Sequence, residues 1–314
     1  MEKLVESVLT NVDPFIDEVI RYSVRLGGKR LRPALVFLAG KAVGTLTEHH
    51  VQTAAAIEFV HTATLIHDDI LDGASMRRHL ETINLRWNAQ IGVLAGDLLL
   101  TKALELMAQS NETFGVRRLT NACEKTCEGE LRQIGAVGRF DMTPEEYYEI
   151  IGGKTAPLLS CSAELGAHYA GAAKDVTEKF RLFGEKIGLA FQMIDDILDL
   201  VGETDTAGKT LRTDLINHKP TLPLILYLRD ANEKDKKDML VRIRRDDFDE
   251  QSAVWVIDRL GKAGAIDAAQ HAAQQLVDDA GKLISGIKGH SGATDTLATD
   301  ALLAIAQFVT ARKK

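Results

Sequence analysis

Apolar residues recur every three to four positions along almost the whole chain, and the period-two alternation of a half-buried strand is not seen. Residues 1–25 place Leu4, Val8, Leu9, Val12, Ile16, Val19 and Ile20 on one broad stripe, as a helix with one buried face does. In LGGKRLRP, Gly27 and Gly28 end that helix and Pro33 opens the next. The same spacing predicts helices near 34–44, 50–72, 86–110 and 114–136. TPEEY, starting at Thr143, is a helix start with a Thr cap, Pro at the first position and acids in the first turn. The run Gly152–Gly153–Lys154 predicts a break, followed by a helix to about 170. Asp175 and Glu178 have the spacing of a capping box for a long helix after them. GETDTAGKTLRTDLINHKPTLPL, 202–224, has no apolar period and reads as one long polar connection, a length that compact bundles usually reserve for functional lids. Helical spacing then resumes to the C-terminus. With no linker or composition shift, the expectation is an all-α fold in a single domain over residues 1–314.

Two of these helices carry the same acidic pentapeptide. HTATLIHDDILDGASMRRH, from His61, contains DDILD at Asp68, Asp69 and Asp72, and FQMIDDILDLVGE repeats it at Asp195, Asp196 and Asp199. Positions i and i+4 share a helix face, so Asp68 lies beneath Asp72, and such like charges weaken an isolated helix. One acidic cluster is more often a solvated face, and the acidic run at Asp246, Asp247 and Asp249 is of that kind. A repeated pentad behind two apolar runs is harder to explain as surface. Six carboxylates facing one cavity repel strongly without cations, so the pair reads as a site for hard divalent ions completed by phosphate oxygens. Short basic segments lie between the helices: Lys29, Arg30 and Arg32; Arg77 and Arg78; Lys154 with Thr155; Lys209; Lys219. Each alone is ordinary surface. Together they supply charge-assisted donors for a diphosphate. GGKT is no P-loop, since the spaced upstream glycine and the strand before it are missing.

Composition narrows the alternatives. The 314 residues are 45% hydrophobic with a net charge of -7, which argues against a general nucleic-acid binder. No apolar run reaches the ~18 residues of a membrane helix, and the first residues lack a signal core. A cytoplasmic protein without stable membrane insertion is expected. Cys123, Cys127 and Cys161 fit a reducing compartment; Cys123 and Cys127, four apart, have no nearby His or third Cys to complete a metal site and read as small buried side chains.

With the motifs in this order over about residues 25–224, the chain resembles the trans-isoprenyl diphosphate synthases of medium- or long-chain polyprenyl type. The resemblance implies a bundle of mostly antiparallel helices around a deep cavity, assembled as a homodimer. It implies Mg2+, about three ions per active site, with Mn2+ able to substitute. Asp68, Asp72 and Asp195 match the direct metal ligands, and Asp69, Asp196 and Asp199 match supporting residues. Lys29, Arg32, His61 and Arg78 match the isopentenyl diphosphate site. Arg77, Lys154, Thr155, Gln192, Lys209 and Lys219 match the allylic diphosphate ring. One departure is His79, where the family usually has Gly.

The implied reaction is ionisation of the allylic diphosphate, attack by the isopentenyl double bond, and loss of a proton. Lys154, Lys209 and Gln192 then stabilise the leaving group, and no protein nucleophile is required. Thr64 and Ala63, four and five residues before Asp68, lie about one turn deeper, with Val60 beyond. All lack the aromatic plug of relatives that stop at fifteen carbons, so a product of twenty carbons or more is expected, of octaprenyl type. Close helix packing is the plain alternative for the same small residues. Rival readings are a geranylgeranyl diphosphate synthase, a terpene cyclase and a non-catalytic subunit of a heteromeric synthase. A cyclase would lack the second pentad and the GGKRLRP segment, and a silent subunit would have lost carboxylates.

Overall fold

A computed structural model describes residues 1–10, 13–28, 30–109, 112–202, 212–245, 248–287 and 296–312. The helices run α1 (Glu2–Leu9), α2 (Pro14–Arg25), α3 (Leu31–Val43) and α4 (Glu48–Leu71), then a two-stranded hairpin, β1 (Met76–Arg77) and β2 (Leu80–Glu81). Next come α5 (Ile83–Arg86), α6 (Ala89–Ala108), α7 (Thr113–Gly135), α8 (Pro144–Lys154), α9 (Ala156–Tyr169) and α10 (Lys174–Val201). The chain ends with α11 (Thr213–Ile216), α12 (Leu222–Asp230), α13 (Glu233–Ile243), α14 (Glu250–Lys262), α15 (Ala265–Ile284) and α16 (Thr296–Ala311). The all-α expectation holds, with the hairpin as a small exception.

The chain forms two compact units. The first comprises Met1–Cys123, Leu158–Gly184 and Ile284–Leu302; the second comprises Glu124–Pro157, Glu185–Leu283 and Leu303–Lys314. The first unit is centred on α4, whose Ala54, Ala55, Ala56, Ile57, Phe59 and Val60 are buried. Glycines on α6 bring its backbone close to α4: a side chain at Gly92 would strike Ile70, and one at Gly96 would strike the His67 ring. In the second unit, Leu200, Leu215, Leu224, Met239, Val256 and Leu260 share an apolar core.

Local chemistry sets most helix starts as expected. Asp13 accepts hydrogen bonds from the Phe15 and Ile16 amides, with Pro14 at the first helical position. Thr143 and Glu146 form a reciprocal capping box at α8. Five expectations need correction. The stripe over residues 1–25 forms two helices, because Asp13 and Pro14 start a new one. Asp175 lies inside the first turn of α10 and the Glu178 carboxylate takes the Arg181 guanidinium, so no capping box forms there. The break expected at residues 152–154 falls just after them, at Thr155 between α8 and α9, because Gly152 and Gly153 still continue α8. A Cβ on Gly129 of α7 would lie 2.4 Å from the Gly153 carbonyl carbon, so these glycines are there for backbone contact between helices. The described end of the polar connection is also less open than its composition suggests, since α11 and the start of α12 lie within it. Cys123 and Cys127 are not buried as expected: Cys123 is half-buried and Cys127 exposed, whereas Cys161 is buried. Among the described residues, no helix is long and apolar enough to cross a membrane.

Candidate active site

In the first unit, the loop between α2 and α3, the middle of α4 and the hairpin converge through arginines. Arg30 adopts a left-handed backbone at the start of α3 (φ 55°), which turns its side chain to an ion pair with Glu58 of α4. Glu58 is only 3% exposed, so its charge relies on that partner. One α-helical turn on, His61 Nε2 lies 3.1 Å from Arg32 Nη1. Burial pushes the His61 pKa well below its usual value, and the charges of Arg32, Arg77, Arg78 and Arg30 push it further down. His61 is therefore a neutral imidazole at pH 7 among four guanidinium groups.

The hairpin supplies two of those arginines. Met76 pairs with Glu81 and Arg77 with Leu80, leaving Arg78 and His79 as a two-residue turn. Both turn residues have positive φ, 51° and 65°, as the tight turn that suits strand twist requires. Arg77 then donates to both carboxylate oxygens of Asp69 at 2.7–2.9 Å. Arg78 Nη1 donates to the Gly27 carbonyl at 2.6 Å, and its guanidinium lies where a Cβ on Gly28 would be. The glycines of GGKRLRP thus make room for guanidinium groups. Within the pentad, Asp69 is 2% exposed and held by Arg77, Asp72 is exposed at the end of α4, and Asp68 is half-buried one turn before it.

In the second unit, the repeated pentad sits near the end of α10. Asp196 is 7% exposed and receives hydrogen bonds from the Tyr147 hydroxyl (2.6 Å) and the Gln192 amide (2.9 Å). The Thr155 hydroxyl donates to the Gln192 carbonyl oxygen at 2.6 Å, completing a chain that joins α8 and its C-terminal cap to α10. Burial first, and then the Asp214 charge, pushes the Asp196 pKa up to about 7 against the pull of its two donors. Tyr147, Asp196, Asp214, Lys219 and Thr221 line a small cavity. Asp199 accepts from the Thr213 amide and hydroxyl and from the Asp214 amide, and so fixes the start of α11. Lys154, brought to α7 by the Gly129–Gly153 contact, pairs with Glu130 at 2.7 Å and donates to Gln133 at 2.9 Å. Asp195 takes the Arg312 guanidinium at 2.9 Å.

The expected residues thus assemble by unit. Arg32, His61, Arg77 and Arg78 come together with the first pentad, and Thr155 and Gln192 with the second. Lys219 stands 3.8 Å from Asp214. Lys29 and Lys209 lie outside the described residues. Val60 and Ala63 are buried in the first unit's core, while the half-buried Thr64 donates its hydroxyl to the His61 carbonyl. Glu58, Glu130, Gln133, Tyr147 and Arg312 were missed in the sequence. Only Glu58 carried a local signal, as an acid inside the apolar run AAAIEFV; the others are partners set by tertiary structure.

The donor set suits a hard cation. Among the described residues, no three His, Cys, Asp or Glu groups converge to enclose an ion. Mg2+ is commonly held by one or two carboxylates with phosphate oxygens and water, so a set that relies on a bound diphosphate fits that ion.

Solved structures place the fold among the all-α isoprenoid synthases. The decaprenyl diphosphate synthase of Rhodobacter capsulatus superposes with a TM-score of 0.90 at 32% identity, over 100% of this chain and 95% of that one. Residues 13–260 match the Polyprenyl synthetase family, and the chain belongs to it. It is 32% identical to the short chain isoprenyl diphosphate synthase of Methanothermobacter thermautotrophicus, over 99% of this chain and 95% of the relative. It is 38% identical to the octaprenyl diphosphate synthase of Escherichia coli, over 67% of this chain and 65% of that protein. The chain is therefore a prenyltransferase of the trans-polyprenyl synthase class. The family uses isopentenyl and allylic diphosphates and is generally Mg2+-dependent.

Proposed function

We propose that the enzyme condenses isopentenyl diphosphate head-to-tail with an allylic diphosphate and releases an all-trans polyprenyl diphosphate of twenty carbons or more, of octaprenyl type. The observation that carries this reading is the neutral His61 among Arg30, Arg32, Arg77 and Arg78, beside an acidic pentad. A neutral imidazole donates a hydrogen bond to a diphosphate without competing for its counter-charges, while the arginines offer forked donors. Arg32, His61, Arg78 and Lys29 bind isopentenyl diphosphate. Arg77, Lys154, Thr155, Gln192, Lys209 and Lys219 serve the allylic diphosphate. Asp68, Asp72 and Asp195 are the residues that would hold Mg2+, which when bound would supply positive charge to the leaving diphosphate. Asp69, Asp196 and Asp199 act behind them, since Arg77, Tyr147 with Gln192, and the start of α11 engage their oxygens. The enzyme works in the cytoplasm as a homodimer.

Product length depends on Val60, Ala63 and Thr64, small residues behind the first pentad. The test is to incubate the full chain with farnesyl diphosphate, isopentenyl diphosphate and Mg2+ and to weigh the products by mass spectrometry. Elongation past twenty carbons is expected, with Ala63→Phe shortening the product. Asp68→Asn should lower kcat by about a hundredfold. A cyclised hydrocarbon, or no turnover without a second protein, would overturn the reading.

A further inference from the structure

The last described residue of the chain is part of the second pentad's surroundings. Arg312 follows α16, in a C-terminal run, ARKK, that by composition reads as a solvated end or as a basic tail over the diphosphates. Its side chain is instead 11% exposed. Nη1 lies 2.9 Å from Asp195 Oδ1, Nη2 donates to the Phe191 carbonyl at 3.2 Å, and Nε donates to the Val309 carbonyl at 3.2 Å. The guanidinium carbon stands 3.9 Å from the centre of the Phe191 ring. A guanidinium that stacks on a ring and donates to two carbonyls is held mainly by neutral partners. Among the described residues, its ionic partner is the first carboxylate of the pentad.

We propose that Arg312 is a positioning residue for that pentad: a resident counter-cation on Asp195 that orients the carboxylate and must yield part of its hold when a divalent cation arrives with diphosphate. The inference rests on the proposed role of Asp195 as a metal ligand. Phe191 lies one helical turn before Asp195, so ring, carbonyl and carboxylate form one rigid cradle on α10, and the end of α16 delivers the cation to it. The consequence is a threshold. The ion pair disfavours metal binding until diphosphate adds its own negative charge, so cation and diphosphate load together.

Isothermal titration calorimetry of the full chain with Mg2+, in saturating inorganic pyrophosphate, tests this. An ion pair with one partner half in solvent, as Asp195 is, contributes up to about 1 kcal/mol, which corresponds to about fivefold in affinity. Arg312→Gln should therefore bind Mg2+ about threefold to fivefold more tightly, and should bind it measurably even without pyrophosphate. Arg312→Lys keeps the charge and should stay close to wild type. Unchanged or weaker Mg2+ binding in Arg312→Gln would overturn the proposal. So would equal behaviour of the Gln and Lys variants, which would trace the effect to packing. Asp195→Asn separates the two readings: if it leaves Mg2+–pyrophosphate binding as in wild type, Asp195 is no ligand and the site assignment fails, whatever Arg312 does.

Discussion

The two DDILD pentads are identical in sequence and differ in what their surroundings make of each carboxylate. The middle aspartate is buried in both. Asp69 meets a guanidinium that binds both its oxygens, so a full positive charge accompanies it into the core. Among the described residues, Asp196 accepts hydrogen bonds from a phenol and an amide, with a second carboxylate, Asp214, nearby. Neutral donors do not offset desolvation, so one carboxyl keeps a counter-ion and the other is drawn toward its protonated form. The third aspartates differ as well. Asp72 is exposed at the end of α4, while Asp199 organises the first turn of α11. A pentapeptide sets the spacing of its carboxylates along a helix. Their chemistry is set by whatever packs against them.

The largest effect is expected at Asp196. Its folded pKa of about 7 lies above the value of about 3.9 in an unfolded chain, so the folded state holds the extra proton between these two pH values. That contribution to stability is complete below about pH 4 and is lost as pH rises through 7, at up to about 1.4 kcal/mol per pH unit. Asp196→Asn is neutral and keeps an acceptor oxygen, with an NH2 group (two N–H donors) where the protonated acid has one O–H, and should remove the slope. Urea denaturation of the metal-free protein and variant at pH 5 and pH 8 checks it. Parallel curves at both values would mean that Asp196 is ionised throughout and that the contrast with Asp69 is false.

Arg77→Leu ranks second. It leaves Asp69 buried without its ionic partner, an arrangement that costs about 3 kcal/mol, and Asp69→Asn in the same chain should recover part of the loss. A double-mutant cycle in urea measures the coupling. Additive losses would show that the pair contributes little. Third comes the pair of last aspartates: Asp199→Ala should cost about 1 kcal/mol through loss of the α11 cap, and Asp72→Ala less than about 0.5 kcal/mol. Equal losses in thermal melts would erase that distinction.

Much of this was legible in the chain. Helix spacing, the Asp13 and Thr143 caps, the repeated pentads and the basic segments are local patterns, and local patterns survive folding. What was not legible depends on contact between distant residues. Gly152 and Gly153 look like a break and are a packing surface, because Gly129 lies over twenty positions away. Glu130, Tyr147 and Arg312 occupy ordinary helical or terminal contexts, and nothing near them in sequence names Lys154, Asp196 or Asp195 as their partners. The pentads were equivalent on paper for the same reason.

The smallest expected effect concerns how Arg77 reaches Asp69. The hairpin that carries it turns through Arg78 and His79, and His79 has a φ of 65°, a region that costs most side chains energy and glycine almost none. Histidine is among the residues that tolerate this conformation, and its place in the turn is exposed. His79→Gly relieves the backbone but gives the unfolded chain more freedom, and the two terms nearly cancel. A change within about 0.5 kcal/mol is therefore expected, of either sign, in urea denaturation. In the second pentad the described donors to the buried aspartate come from α8 and from its own helix rather than from a hairpin. A loss of 2 kcal/mol or more in His79→Gly, a size reserved for named structural lesions, would show that the imidazole itself holds the hairpin in place. The arginine at Asp69 would then depend on a side-chain contact as well as on turn geometry, and the difference between the pentads would extend to how their donors are delivered.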